Sequence, residues 1–131
     1  MSRLQLALNV KDLETAVSFY SKLFATEPAK RQPGYANFAI ANPPIKLVLF
    51  ENPTATHKLN HLGIEVESSE QVAQAGDRLR NANLPIRREE QTTCCYAVQD
   101  KVWVTDTDGD DWEIYTVLED AETLACSPSC P

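Results

Sequence analysis

The chain has 131 residues, 43% of them hydrophobic and 24% charged, which is enough apolar material for the core of one globular domain. A formal net charge of -7 excludes a basic surface for nucleic acid, and no apolar run is long enough to cross a membrane. The first residues do not resemble a secretory signal, so we expect one cytoplasmic domain over residues 1–131, with neither a nucleic-acid nor a membrane partner.

The first predicted elements are a strand over residues 4–10 and an amphipathic helix that begins after Asp12, its expected N-cap. Alternation in the strand sends the leucines and Val10 to one face and polar or small residues to the other. The apolar stripe of the helix consists of Leu13, Val17, Tyr20 and Phe24. Three short strands are then predicted over 28–32, 36–40 and 45–50.

The same order repeats in the second half of the chain, which indicates two similar modules. A strand over 60–66 aligns with the first strand, so that His61 takes the position of Gln5. A helix follows behind a capping box formed by Ser68 and Gln71. The remaining predicted strands cover 86–91, 97–105 and 112–118.

Each module has the order βαβββ, so the predicted class is α+β, with both modules forming a cup-shaped mixed sheet covered by helices. Module 1 spans about residues 1–52, module 2 about 59–118, and a flexible tail with two cysteines covers 119–131. The strand faces opposite the helices would line the cup with Gln5, Ala7, Asn9, His61, Gly63 and Glu65. Such a polar lining is typical of a binding site.

His61 and Glu113 are the titratable side chains that suggest a metal site. A strand imidazole can bind a divalent metal, and a hydrogen-bonded structural histidine is the alternative. Glu113 needs a metal or a cation if its strand is central, and needs no partner if the strand is an edge in water. With the amide of Gln5, these two side chains resemble a facial triad that has one neutral donor, which predicts weak metal binding.

The acidic segment DTDGDD, residues 106–111, is a second candidate for metal binding. Its glycine, Gly109, comes at the fourth position, and Val117 stands where an EF-hand loop has its glutamate. The segment therefore predicts a solvated hairpin turn.

Cys94 and Cys95 are adjacent in the stretch QTTCCYAV, and four cysteines with this spacing favour free thiols over a disulfide framework. Neighbours on a strand face opposite ways, so both sulfurs reach one ligand only if the backbone leaves the strand. Residues 91–93 are polar and predict a mobile loop there. The spacing does not match zinc motifs, and two adjacent thiolates favour a soft centre such as trivalent arsenic or cadmium over calcium or magnesium. Two thiols without a function are the alternative. Cys126 and Cys130 either add a third thiolate or are solvent thiols.

The repeated βαβββ order and three segments resemble the vicinal oxygen chelate superfamily, which includes glyoxalases, extradiol dioxygenases and antibiotic-resistance proteins. The segments are LQLALNVKDLETAVSFYSKLF, HLGIEVES and TTCCYAVQDKVWVTD. Within the superfamily, the cysteine segment is most similar to the organoarsenical carbon-arsenic lyases and their cadmium-induced relatives.

The resemblance implies an iron(II)-dependent dioxygenase that uses dioxygen to cleave the carbon-arsenic bond of a trivalent organoarsenical. Its substrate would be methylarsonous acid or a reduced aromatic arsenical, and its products arsenite and an oxidised organic fragment. Gln5, His61 and Glu113 match the family's metal positions. Cys94 and Cys95 match its arsenical-binding pair, and no catalytic residue is expected beyond the metal site.

Two other functions are compatible with this resemblance. One is non-catalytic, thiol-based sequestration of soft metals, as in the cadmium-induced type. The other is a different chelate-fold reaction, such as a glyoxalase-type isomerisation, against which Leu47 and Leu49 argue because they offer no fourth ligand. The modules either pair within one chain or swap between the two chains of a homodimer.

Overall fold

A computed structural model of the protein describes residues 2–121, which form two compact units, Arg3–Leu62 and the residues from Gly63 onward. The elements are β1 (Arg3–Val10), α1 (Leu13–Phe24), β2 (Lys30–Gln32), β3 (Tyr35–Ile40), β4 (Ile45–Glu51), β5 (Leu59–Glu65), α2 (Ser69–Asn81), β6 (Arg87–Cys94), β7 (Ala97–Thr105) and β8 (Asp111–Asp120). The order βαβββ occurs twice along the chain, and the predicted α+β class is confirmed. No helix within residues 2–121 has the length and apolar character needed to span a membrane.

In the first unit the strand order is β2-β3-β4-β1-β5. The β1 and β4 strands are parallel, whereas β3 is antiparallel to both β2 and β4. The parallel register places Gln5 beside Lys46 and Ala7 beside Val48. Because β1 has a strand on each side, its side chains are flanked along both edges.

Helix α1 covers one face of this sheet and closes the core of the first unit. The buried core residues come from β1, α1, β3 and β4: Leu8, Val10, Leu13, Val17, Ala36, Phe38, Ile40, Leu47 and Leu49. Leu6 packs at the edge of the core, but Leu4 is 42% exposed. The apolar face of β1 that packs on the core therefore begins at Leu6, and not at Leu4 as predicted. The predicted helix stripe is confirmed, with Tyr20 and Phe24 partly buried against the core.

Both helices begin at the predicted caps. Asp12 accepts a hydrogen bond from the backbone N–H of Glu14 at 3.1 Å and from the hydroxyl of Thr15 at 2.8 Å. Ser68 accepts from the N–H of Gln71 at 3.1 Å, and the Gln71 amide oxygen accepts from the N–H of Glu67 at 2.8 Å. Each cap pairs amide groups that the first helical turn leaves unbonded.

The second unit contains the antiparallel order β8-β7-β6, with α2 packed against β7 and β8. The register pairs Trp103 with Glu113 and Lys101 with Tyr115. Since paired residues share a face, these four side chains lie on the same side of the hairpin. Val102 faces the opposite way and is buried, as expected from alternation along β7.

The acidic segment between β7 and β8 is the predicted hairpin turn. Its centre is Asp106, whose carboxylate accepts from the N–H groups of Asp108 and Asp110 at 2.9 and 3.0 Å and from the indole of Trp112 at 3.1 Å. Gly109 has a φ of 90°, which favours glycine. The hydrogen bonds, that from Asp110 foremost, lower the pKa of Asp106 below its usual value.

The predicted mobile loop around the cysteines is wrong. Strand β6 does not end at residue 91 but continues to Cys94, and only Cys95 and Tyr96 connect it to β7. The extra length is absorbed by a bulge between Glu89 and Thr92. Strand β8 likewise continues to Asp120, beyond the predicted end at 118.

Candidate functional site

Gln5 and His61, the equivalent positions of the two modules, lie side by side in the first unit. They are buried, with 4% and 3% of their surface exposed, and their Nε2 atoms are 3.2 Å apart. The other imidazole nitrogen of His61 is 2.9 Å from the amide oxygen of Asn60, and the ring of Phe50 lies 6.5 Å away between centroids. The pair of predicted ligands therefore converges on one point of the β1 and β5 strands.

Glu113 lies in the second unit and is 4% exposed, which excludes the solvent-exposed alternative. Its carboxylate is 2.8 Å from the ammonium of Lys101, which is 1% exposed. The cation also lies over the rings of Trp103 and Tyr115, at 5.3 and 5.9 Å from their centroids. A buried carboxylate requires a cationic partner, and Lys101 meets that requirement.

Lys101 was missed in the sequence because it lies beside Gln99 and Asp100 in AVQDKVWV, where a lysine is expected to be exposed. Alternation places it on the same face as Trp103, and the register of the Gly109 hairpin sets it diagonally across from Glu113. The combination of strand parity and hairpin register was the available signal.

The donor set of the predicted metal site is a weak one. Among residues 2–121, no three histidine, cysteine, aspartate or glutamate side chains come together as metal ligands. The predicted set holds only two such residues, His61 and Glu113, with Gln5 as a neutral amide donor. Gln5 and His61 bring together an amide and an imidazole, which are group types that bind divalent metals, within the first unit, whereas Glu113 of the second unit is paired with Lys101.

Cys94 and Cys95 bring their sulfurs to within 3.6 Å of each other. Cys94 ends β6 and is buried, whereas Cys95 opens the two-residue turn with a φ of 54°, followed by Tyr96 at 63°. This turn, and not a loop, is the departure from the strand that lets adjacent side chains meet. Two residues with side chains in the left-handed region store roughly 1–2 kcal/mol of strain each, which is typical of functional sites.

The prediction that all cysteines are free thiols is wrong at Cys94, which is disulfide-bonded. The bond is not to the neighbouring Cys95, because the 3.6 Å between the two sulfurs is too long for a disulfide. Cys95 is not part of a disulfide. The predictions for Cys126 and Cys130 concern residues outside the described range.

Gln99 anchors the cysteine turn and was also missed in the sequence. Its side-chain N–H donates to the carbonyl of Cys94 at 2.9 Å, and Gln99 is 4% exposed. The end of β8 fixes the other side, where the N–H of Ala121 donates to the carbonyl of Tyr96 at 2.8 Å. The turn is therefore tied to the strands of its own unit.

A family model described as the Glyoxalase/Bleomycin resistance protein/Dioxygenase superfamily matches residues 3–114. The chain belongs to this superfamily. Its membership confirms the resemblance that the repeated modules and their segments indicate.

Two relatives within the superfamily are similar over nearly the whole chain. The "Cadmium-induced protein CadI" of Mycobacterium tuberculosis is 62% identical over 98% of this chain and 84% of that protein. The "Trivalent organoarsenical cleaving enzyme" of Thermomonospora curvata is 61% identical over 95% of this chain and 83% of that enzyme. Among solved structures, the Mn(II)-bound glyoxalase from Novosphingobium aromaticivorans matches with a TM-score of 0.65 at 17% identity, covering 94% of this chain and 42% of that one. The last similarity shows the shared fold.

Proposed function

We propose that this superfamily member is an iron(II)-dependent dioxygenase that cleaves the carbon-arsenic bond of trivalent organoarsenicals and releases arsenite. The observation that carries the proposal is the pair of sulfurs 3.6 Å apart on an anchored turn. The 61% identity to a trivalent organoarsenical cleaving enzyme supports it. Methylarsonous acid and reduced aromatic arsenicals are the proposed substrates.

The cysteine pair fits one soft atom held by two thiolates. The two sulfurs are 3.6 Å apart, so a single atom between them can bond both at roughly 2.3 Å, which is the length of a zinc–sulfur bond. Each thiol displaces one hydroxyl of the arsenical as water, so both Cys94 and Cys95 must be reduced. Trivalent arsenic prefers such soft ligands over carboxylates.

Gln5, His61 and Glu113 are the residues that would hold the metal. Iron(II) supplies the binding and activation of dioxygen when it is present. Lys101 offsets the charge of Glu113 within the protein, and their contact of 2.8 Å holds the carboxylate in place. The Gln5 and His61 side chains are held by burial between strands.

The overall reaction balances with dioxygen as the only oxidant. Methylarsonous acid and one dioxygen contain the same atoms as formaldehyde and arsenous acid. The carbon is oxidised, the carbon-arsenic bond is broken, and one oxygen atom of dioxygen enters each product. The cysteine turn keeps the arsenic in place while its carbon substituent reacts.

Turnover is tested by loading the reduced protein with iron(II) without air, adding methylarsonous acid, and then admitting air. We expect one arsenite for each arsenical consumed, and none when iron or air is withheld. An arsenical that stays bound, with no arsenite formed in the complete mixture, contradicts the proposal.

A second candidate function is sequestration of soft metals, favoured by the 62% identity to a cadmium-induced protein. The same sulfur pair would bind cadmium without chemistry. Stoichiometric cadmium binding together with the absence of arsenite in the turnover test would establish this function instead.

A further inference from the structure

Four hydrogen bonds run in a line through the first unit, from the backbone of His57 through His61 to Gln5. The side-chain nitrogen of Asn9 is 3.1 Å from the carbonyl oxygen of His57, and the nitrogen of Asn60 is 3.0 Å from the amide oxygen of Asn9. The amide oxygen of Asn60 is 2.9 Å from Nδ1 of His61, and Nε2 of His61 is 3.2 Å from the amide nitrogen of Gln5. We call this line the amide relay.

The direction of the amide relay is fixed at its first member. A backbone carbonyl can only accept, so the atom of Asn9 that faces His57 must be the amide nitrogen. The oxygen of Asn9 then faces Asn60 and requires a donor there, which turns the oxygen of Asn60 toward His61. No member can reverse without placing two acceptors or two donors together.

The last step decides which imidazole nitrogen carries the proton. An oxygen of Asn60 opposite Nδ1 requires a proton on Nδ1. In the neutral ring Nε2 then has a lone pair, which accepts from the amide of Gln5 at 3.2 Å. A lone pair on Nε2 is the form of histidine that binds a metal through that atom.

We propose that Asn60 and Asn9 are positioning residues that hold His61 in its Nδ1-protonated form and so present Nε2 as a ligand. The role of Nε2 as a metal ligand rests on the proposed function, whereas the protonation pattern of the ring does not. The relay is anchored from the backbone at residue 57, in the segment between β4 and β5, and both asparagines belong to the strands that carry Gln5 and His61.

The direct test is nitrogen NMR of the ¹⁵N-histidine-labelled protein at alkaline pH without metal. We expect the His61 signals to be those of the Nδ1–H form, and the exposed His57 to give the mixture seen for an imidazole in water. A His61 that carries its proton mainly on Nε2 in the unchanged protein overturns the proposal.

Three variants separate positioning from packing. Asn60→Leu keeps the side-chain size but removes the acceptor, so the Nδ1–H share should fall to that of an exposed imidazole, whereas Asn60→Asp should restore it. Asn9→Leu should give an intermediate share, because Asn60 can then reverse. An unchanged His61 signal in folded Asn60→Leu, checked by its amide spectrum, contradicts the relay.

Metal affinity supplies a second readout that is independent of turnover. Loss of a ligand's hydrogen-bond partner costs roughly 10- to 100-fold in metal affinity, so Asn60→Leu should bind iron(II) at least tenfold more weakly, with Asn60→Asp close to the unchanged protein. A changed protonation pattern with unchanged affinity refutes the positioning role. A failure of arsenite release in the unchanged protein contradicts the proposed function but leaves the His61 result valid.

Discussion

At the scale of single residues, the stability of the second unit depends on a buried ion pair that the sequence pattern does not indicate. Lys101 and Glu113 are 1% and 5% exposed at their side chains and 2.8 Å apart, with aromatic rings around the cation. A charge so deeply buried is tolerated only with its partner in place. Strand parity indicated the face of Glu113, but finding its partner also requires the cross-strand register that the β7–β8 hairpin sets.

Removing the cation alone should be severely destabilising. Lys101→Met keeps the length of the side chain but leaves Glu113 buried without its ammonium, and the expected loss in the free energy of unfolding is about 3–5 kcal/mol. Urea denaturation of the variant measures it. The double variant Lys101→Met with Glu113→Gln should recover most of the loss, and a double variant as unstable as the single one contradicts the ion-pair account.

At the scale of elements, the cysteine turn departs most from what the sequence indicates. Hairpin turns with two residues at positive φ usually contain glycine or asparagine, and Cys95 and Tyr96 are neither. The bulge near Thr92 has no glycine or proline signal either. Helix caps such as Asp12 and Ser68 were predictable because the hydrogen bonds that define them are local in the chain.

The strain in the cysteine turn predicts that one substitution can stabilise the protein and at the same time abolish its function. Cys95→Gly removes the side chain at a φ of 54° and should raise the free energy of unfolding by about 1 kcal/mol, because glycine adopts this region without steric penalty. The same change should abolish arsenical binding. Chemical denaturation measures the first effect, and a destabilised Cys95→Gly variant would show that the turn stores no strain.

The β7–β8 hairpin predicts a pH dependence that belongs to Asp106. Its pKa is lowered in the folded protein, so the unfolded chain binds more protons as pH falls. The stabilisation is therefore present above the ordinary value of 3.8 and is lost as pH drops through the lower folded value. Unfolding midpoints in urea at neutral pH and below 3.8 should differ less for Asp106→Asn than for the unchanged protein. Equal differences would contradict the contribution of this carboxylate.

At the scale of the whole molecule, the modular order was predictable and the site chemistry only partly so. The repeated βαβββ order follows from hydrophobic periodicities and an internal repeat that can be recognised in the sequence. This order also indicated the superfamily to which the chain belongs. The equivalence of Gln5 and His61 came from the same repeat. The amide relay did not, because it depends on contacts between residues distant in sequence.

The net charge leads to a prediction about substrate capture. With -7 overall, the protein repels anions, whereas methylarsonous acid is uncharged at neutral pH. Its association rate should therefore change little between low and high salt, as stopped-flow measurements would show. A strong acceleration by salt would indicate that the captured species is an anion.

Loss of either cysteine should weaken arsenical binding steeply, because the second thiolate bond is intramolecular. Cys94→Ser and Cys95→Ser should each weaken binding by roughly 100-fold or more. Equilibrium dialysis with a phosphine as the reductant avoids competing thiols. Retained tight binding in either variant would assign the arsenical to other ligands.

X-ray absorption at the arsenic edge tests most directly whether Cys94 and Cys95 together bind the arsenical. The reduced protein is mixed with one equivalent of methylarsonous acid without air, and the neighbours of arsenic are counted. We expect two sulfurs and one carbon around each arsenic. One sulfur or none in the unchanged protein would contradict it.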